Sequence, residues 1–580
     1  MTDGDDQDGL AKGLQMELFH PESERKPGDG NIQLWGFDVH PVVFPVALLV
    51  VALFVGATLV LGDQAAEVYW DVRTFFEAKF GWFFLLSVNV FIAGLLFFAF
   101  SKYGEIRIGG VEAEKEFSDF SWMAMLFSAG MGIGLMFFSV SEPLFYYSNV
   151  PGFYGGDAGT GAAGVAAMTQ TFFHWGIHPW AIYGLVGLSL AFFSFNRGLP
   201  LTFRSIFWPL LGERIYDWPG HLIDLVTVFA TLFGLATSLG LGVKQINRGL
   251  SYILGPVLGV ANVPTGIVPQ VVLIAVITGI ATASVAAGLE DGVKRLSTLN
   301  VYLMLALLGF VLVAGPTVFI FGAWVQGLGS YLGNLPTLAF FTGALGAGQS
   351  TVDSWTVFYW AWWIAWSPFV GTFIARISKG RTVREFVVGV LVIPSLFSTI
   401  WLATFGGSAL YNSLQAGGAV LATYERAGQT VAMFSLLQQF PFGAVSGLLA
   451  VLLVVTFFVT SSDSGSLVVD HLTSGGKHDV PKIQRIFWAT TEGGVAALLL
   501  YGGGLNALQT AAIATGFPFA IVLIVMCYTL YLGLDKEYEL LQSEEFNDRV
   551  QEISDEDVDI DTSRREVVTD IQKYPESADD

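Results

Sequence analysis

The chain alternates long apolar runs with short polar stretches. A helix needs about 20 residues to cross a bilayer, and twelve runs reach that length: 41–62, 81–101, 119–148, 163–195, 219–250, 265–287, 297–320, 353–376, 385–407, 442–465, 483–503 and 506–533. The runs are continuous. A transmembrane barrel would show alternating segments of roughly 10 residues, so the pattern predicts an all-α membrane protein. Residues 1–40 are polar and form an expected cytoplasmic tail, 41–533 the membrane domain, and 534–580 an acidic tail that begins as a helix. Segment 321–352 is Gly-rich, mildly apolar and without basic residues, which predicts an amphipathic helix on the outer surface.

Lys and Arg set the expected topology, because loops on the cytoplasmic side carry an excess of them. With the N-terminus inside, inner loops hold clusters such as Lys102, Arg107 and Lys115, and Arg376, Lys379, Arg381 and Arg384. Outer loops hold only Arg73, Lys79 and Arg426, with Lys244 and Arg248 near the outer end of the fifth run. The bias fits an even number of spans in the plasma membrane, with both termini cytoplasmic.

Composition agrees. Hydrophobic residues make up 53% of the 580 and charged residues 13%, against about 25% charged in a soluble domain. The net charge of −21, carried mostly by the tails, excludes a basic nucleic-acid surface. The single cysteine, Cys527, rules out an intramolecular disulfide. The start, MTDGDDQDGL, is acidic and gives no sign of a cleavable signal peptide.

Several motifs carry chemistry. In Ser128-Ala129-Gly130-Met131-Gly132-Ile133-Gly134, three alternating glycines weaken a helix by about 1 kcal/mol each relative to alanine. An unwound stretch here frees carbonyls for a cation and N–H groups for a carboxylate; close helix packing through small residues is the competing reading. In the fourth run, Trp175, Trp180 and Tyr183 fall within an arc of about 140° on a helix, an estimate that Pro179 disturbs. In the eighth run, Trp362 and Trp366 are one turn apart, as are Trp360 and Trp363. An interfacial aromatic belt explains one or two such rings at a span end, not a series three turns long. A quaternary ammonium has no N–H donors, and each ring face attracts it by about 0.5–2 kcal/mol. An aromatic box therefore selects methylated cations.

The tenth run contains Thr456-Phe457-Phe458-Val459-Thr460-Ser461-Ser462-Asp463. Such hydroxyls either bond their own i−4 carbonyls or, with backbone oxygens, hold a hard cation such as sodium. The intramembrane acids Glu142, Asp463 and Glu492 are candidates for proton relay, with structural or gating roles favoured for Glu142 and Asp463. His174 and His178 have a metal-like i, i+4 spacing but no evident third ligand, which favours packing or hydrogen bonding. No Ser/His/Asp or HExxH-type constellation points to an enzyme.

These stretches resemble the betaine/choline/carnitine transporter family over nearly the whole apolar region. FYWAWWIAWSPFVGTFIARISKGRTVREF carries most of the likeness, with HWGIHPWAIYG, GMGIG and TSSDSG in support. The resemblance implies a LeuT-like fold: two extra helices, then two inverted five-helix repeats, here at about 119–320 and 353–533. It also implies homotrimers, with the helix after the seventh span contributing. It implies no cofactor, sodium as coupling ion, and uptake of a compatible solute such as glycine betaine for osmoadaptation. Proton-coupled or sodium-independent carriers of choline, carnitine or related osmolytes are the alternative.

By this likeness Trp175, Trp180, Tyr183 and Trp363 form the aromatic box, and Trp360, Trp362 and Trp366 line the site or its pathway. The backbone of Gly130, Gly132 and Gly134 would meet the solute carboxylate. One sodium site maps to Ser128, Met131, Phe457, Thr460 and Ser461, and a second to Thr231 and Phe369. The chain departs from the sodium–betaine pattern at Leu235, where a second threonine is expected, so the second site is in question. Gly134 stands where proton-coupled choline carriers have aspartate, which suits a zwitterion. The acidic tail also differs from the basic C-terminal helix of the osmosensing relative.

Overall fold

In the computed structural model the described residues are 25–129, 132–286, 290–346, 352–477 and 479–543. Almost all of the described chain is helical. Helices α1 (Val43–Leu61) and α2 (Ala65–Phe100) come first, followed by α3 (Asp119–Ala129) and α4 (Ile133–Ser148), then α5 (Gly161–Trp175) and α6 (Ile177–Phe195). Next are α7 (Trp218–Tyr252), α8 (Ile267–Ala286), α9 (Glu290–Ala314) and α10 (Thr317–Phe340). A π-helical turn, Val352–Val357, leads into α11 (Phe358–Arg376), and α12 (Val383–Gln415) follows. Short helices α13 (Ala419–Ala427) and α14 (Ala432–Leu437) precede α15 (Gly443–Thr473) and α16 (Lys482–Leu541).

Among the described residues, eight segments are long and apolar enough to cross a membrane: Val43–Phe100, Gly161–Phe195, Trp218–Val257, Ile267–Val285, Arg295–Ala314, Val383–Gln415, Gly443–Thr473 and Lys482–Leu541. The first and last each hold two of the expected runs. The last is divided by Gly503 (φ 178°, ψ 12°) and Gly504 (φ 61°, ψ −131°). The third expected run is absent from the eight because it is broken into α3 and α4. The eighth, α11, is a 19-residue helix rich in Trp, Tyr and Pro, which lower its hydropathy.

Burial sorts these helices into a core and a shell. The most apolar window of α5–α6 is 94% buried, whereas those of α1–α2, α8 and α9 are only 22–28% buried. The shell therefore presents apolar side chains outward. Within the core, α7 packs on α16 and α15, α11 on α6, and α4 on α12.

Three boundaries differ from expectation. Helix α2 begins at Ala65, so Arg73 and Lys79 lie on a helix instead of a loop. Charges interrupt the apolar pattern there, yet Arg73 is buried, pairing with Glu77 at 2.6 Å and donating to Gln509 at 2.5 Å. The outer helix runs over Thr317–Phe340 and leaves 341–346 outside it. Its exposed residues include the apolar Val318, Val325 and Phe340.

The expected N-terminal tail contains a hairpin, β1 (Ile32–Leu34) paired with β2 (Phe37–Val39). Its two-residue turn has φ of 52° at Trp35 and 83° at Gly36, the primed geometry that matches strand twist. The hairpin is pinned to the membrane domain: Asp38 pairs with Lys477 at 2.7 Å, and Asn31 donates to the Ser474 carbonyl at 2.9 Å. Lys102 pairs with Asp535 at 2.9 Å. His40, whose N–H donates to the Thr473 carbonyl, packs on His221 at the start of α7. These contacts define one end of the bundle, here called the tail face.

Candidate functional site

Helix α3 stops at Ala129 and α4 starts at Ile133, with Gly132 extended (φ −172°, ψ −170°). Gly130 and Met131 lie outside the described residues. A second break falls at Gly176 (φ −92°, ψ −129°), between α5 and α6. A Cβ there would sit 2.6 Å from the Phe172 carbonyl oxygen and 2.7 Å from the Tyr331 hydroxyl. That hydroxyl lies 3.0 Å from the Ile177 N–H, which has no intrahelical acceptor at a helix start, and accepts its hydrogen bond. Pro179 then falls in the first turn of α6, where its missing N–H costs little.

These two breaks and α11 meet around a small cavity of about 40 Å3. Trp175, Trp180, Tyr183, Trp362, Trp363 and Trp366 line it with Gly132 and Gly134. The ring centroids of Trp175 and Trp363 are 4.9 Å apart at 76°, and Trp362 stacks on Trp363 at 4.8 Å. Tyr183 meets Trp363 at 6.2 Å and Trp180 at 5.5 Å, both nearly edge-on. Gly134 is required by this packing: a Cβ would lie 2.6 Å from one carbon of Trp362 and 3.0 Å from one of Trp175. The predicted arc assumed one continuous helix. The structure gathers the same rings from two helices.

Polar groups hold the indoles in place. Trp362 Nε1 donates to Ser238 Oγ at 3.1 Å, Trp363 Nε1 to the His174 carbonyl at 3.1 Å, and Trp366 Nε1 to the Gly234 carbonyl at 3.0 Å. Trp175 Nε1 donates to Glu142 Oε2 at 2.8 Å, and the Tyr359 hydroxyl donates to the same oxygen at 2.6 Å. The other oxygen, Oε1, lies 2.7 Å from His174 Nδ1. Glu142 is fully buried, so these three donors replace its hydration. The sequence marked Glu142 as an intramembrane acid, but its partners come from helices 32 to 217 residues away and left no local signal.

A larger cavity of about 350 Å3 opens on the tail-face side. Ser128, Phe457, Thr460, Ser461 and Phe369 line it, as do Arg376, His471 and Lys477. Trp366 and Ala129 belong to both cavities and divide them. Thr460 Oγ1 donates to its own helix, to Thr456 O at 3.1 Å, and Thr456 donates in turn to Leu452 O at 3.0 Å. A hydroxyl so engaged keeps lone pairs for a cation.

Residues 42–539 match the profile of the BCCT, betaine/carnitine/choline family transporters. The chain belongs to the BCCT family. It is 45% identical over 537 residues to a glycine betaine/proline/choline transporter of Vibrio parahaemolyticus, covering 90% of this chain and 95% of that one. It is 44% identical over 528 residues to glycine betaine transporter 1 of the same organism, covering 88% and 96%. A glycine betaine transporter of Acinetobacter baylyi is 41% identical over 497 residues, covering 86% of this chain and 74% of that one. These relatives are transporters, not enzymes, and the present chain is a multi-pass BCCT membrane transporter.

Some expected residues of this BCCT protein lie elsewhere. Trp360 is not on the cavity wall. It stacks on His178 at 5.2 Å and 8° and meets Phe173 edge-on at 5.2 Å, because α11 turns it towards the α5–α6 pair. The break at Gly176 also separates His174 from His178, so their spacing does not place them on one helical face. Among the described residues no cluster of three or more metal-ligating side chains occurs. Thr231 is buried and donates to Thr227 O at 2.8 Å, apart from both cavities. Leu235 fills the neighbouring position, where a Cβ on Gly465 would lie 2.1 Å from one of its methyl carbons. Asp463 pairs with Arg485 at 3.0 Å near the tail face, while Glu492 is buried beside Ser462, 3.4 Å away.

Proposed function

We propose that this BCCT transporter imports glycine betaine by sodium symport, for osmoadaptation, through alternating access at the aromatic cavity. The observation that carries this reading is the convergence of six aromatic rings beside a broken helix, with four of the indole N–H groups tied off. Ring faces attract a trimethylammonium group at about 0.5–2 kcal/mol each. The N-terminus of α4, which starts at Ile133 after Gly132, offers N–H groups for the carboxylate. At about 40 Å3 the cavity is far below the roughly 300 Å3 at which ligand pockets begin. Loading the solute therefore requires the rings to part, and Trp366, shared with the larger cavity, is the natural gate towards the tail face.

Gly134 favours a zwitterion over choline. Two indoles occupy the space that a carboxylate side chain would need to pair with a cationic solute. Sodium fits the oxygen set of Ser128, Phe457, Thr460 and Ser461, and Leu235 favours a single ion. A zwitterion entering with one cation moves one charge, on which the potential acts with about 2.3 kcal/mol per 100 mV.

In this reading the chain crosses the plasma membrane twelve times, with inverted repeats at 119–320 and 353–533 and the tail face in the cytoplasm. Trimers form through the exposed apolar side of α10. Uptake of radiolabelled betaine into proteoliposomes, with sodium, proton and potential gradients set independently, tests the proposal. Uptake unchanged when potassium replaces sodium rejects the coupling. Absence of betaine uptake under every gradient rejects the solute.

A further inference from the structure

A third cavity, of about 720 Å3, lies at the end of the bundle opposite the tail face. Helix α1 runs there from the hairpin, and α7, which starts beside His40 at Trp218, reaches it at Lys244 and Arg248. Lys244 and Arg248, one turn apart on α7, both line it. Like charges at this spacing repel, and neither side chain forms an ion pair or hydrogen bond with any described residue. Asp63 is the one carboxylate on the described wall, so cations outnumber anions.

The rest of the wall has the same polarity. Helices α2 and α8 and the half of α16 after Gly504 all begin at this cavity, contributing Ala66, Ile267 and Leu505. Helix N-termini present unpaired N–H groups and partial positive charge. Gly504 and Gly266 have φ of 61° and 129° and bring bare backbone close. Beside the mouth, Val60 and Val268 are 89% and 74% exposed, and Tyr501 on the rim is 55% exposed. These apolar faces belong to the lipid-facing shell, and a tyrosine at such a rim suits the headgroup level.

We propose that this cavity binds the phosphate of an anionic phospholipid in the leaflet opposite the tail face. Lys244 and Arg248 meet the phosphate, and the acyl chains lie along α1 and α8. A free anion would satisfy the cations but has no use for the exposed valines, whereas a lipid satisfies both. The site is separate from the solute cavity and stands whatever solute is carried.

The test uses the delipidated full-length protein in detergent and native mass spectrometry. Phosphatidylglycerol, phosphatidylcholine with matched chains and inorganic phosphate are the probes. Wild type is expected to retain phosphatidylglycerol in preference to phosphatidylcholine. K244Q/R248Q should lose retention by about ten- to thirty-fold, given about 1 kcal/mol per basic residue. K79Q, which removes an exposed charge away from the cavity, should match wild type. R248Q alone alters an exposed residue and should show a smaller loss, which keeps the test valid if the double variant folds poorly. Equal retention of the two lipids by wild type, or unchanged phosphatidylglycerol retention in the double variant, overturns the proposal. Displacement of the lipid by millimolar inorganic phosphate also overturns it, in favour of a free-anion site.

Discussion

A Cβ on Gly134 would lie 2.6 Å from the outer edge of Trp362. Trp362 cannot retreat freely, because it stacks on Trp363 at 4.8 Å and is tethered to Ser238. A side chain at 134 therefore shifts the ring pair. Overpacking of this kind costs about 1–3 kcal/mol. Gly134→Ala is expected to weaken betaine binding by about five- to a hundred-fold, read by tryptophan fluorescence titration. Gly134→Asp should be worse for betaine without creating choline transport, since the carboxylate has no room beside two indoles. Choline uptake by that variant would contradict this packing argument.

Trp363 is in ring contact with Trp175, Tyr183 and Trp362 and donates to the His174 carbonyl. Trp363→Ala removes one face of the box and leaves that carbonyl unpaired. An affinity loss of about thirty-fold or more is expected from roughly 2 kcal/mol of cation–π attraction. Trp363→Phe keeps a ring and should lose less. By contrast, Trp360→Phe, away from the cavity, should leave affinity near wild type. Equal losses at 360 and 363 would sink the assignment.

The order of these outcomes shows what local pattern carries. Apolar run length located nearly every helix, and the alternating glycines marked the break before Ile133. Pro179 is the one local sign of the break at Gly176, and the Tyr331 hydroxyl that accepts from Ile177 N–H comes from a helix over 150 residues away. Trp360 and Trp363 look alike in a run of rings, and only the rotation of α11 against α6 separates them. Charges at 67–79 interrupt the apolar pattern, so the sequence predicts a shorter α2, although Arg73 and Glu77 pair with each other. The hairpin has no such signal, because its turn is Trp35-Gly36 and not Asn-Gly or Asp-Gly.

The proposed sodium coupling can be tested at the oxygen set. Thr460→Ala and Ser461→Ala each remove a hydroxyl from the wall of the larger cavity, and each should raise the sodium concentration for half-maximal uptake severalfold. Thr231→Ala should have little effect on it, since that hydroxyl is bonded within its helix and Leu235 closes the adjoining space. The sodium dependence should fit a Hill coefficient of about 1. A value near 2, lowered by Thr231→Ala, would restore a second ion.

His40 predicts an acid limit. Its Nδ1 accepts from the N–H groups of Val42 and Val43 at the start of α1. Burial, then the charge of Arg204 and the neighbouring His221, lower its pKa to about 3 from 6.5. The folded form resists protonation while the unfolded form takes a proton from about pH 6.5 down. Stability is thus full above 6.5, declines as pH falls, and the loss is complete near 3. His40→Asn, which keeps a capping oxygen, should flatten thermal stability between pH 6 and 4. An unchanged slope would place the acid sensitivity elsewhere.

Glu142 joins the two halves of the box. One oxygen faces Trp175 and Tyr359 and the other faces His174, whose carbonyl holds Trp363. Three donors converge on one carboxylate that is shut off from water. Glu142→Gln replaces one acceptor oxygen with an NH2 group, which meets a donor unless it faces His174 and that ring changes tautomer. An unsatisfied buried donor costs about 1–3 kcal/mol. Glu142→Leu removes all three acceptances at once. Glu142→Asp keeps the two carboxyl oxygens but is shorter, and reaches at most part of the set. Thermal stability and betaine affinity should therefore fall together, in the order Asp, Gln, Leu from mildest to worst. If Leu melts at the wild-type temperature and binds betaine normally, the carboxylate is not what fixes the rings, and the hydrogen bonds to Trp175 and Tyr359 are incidental.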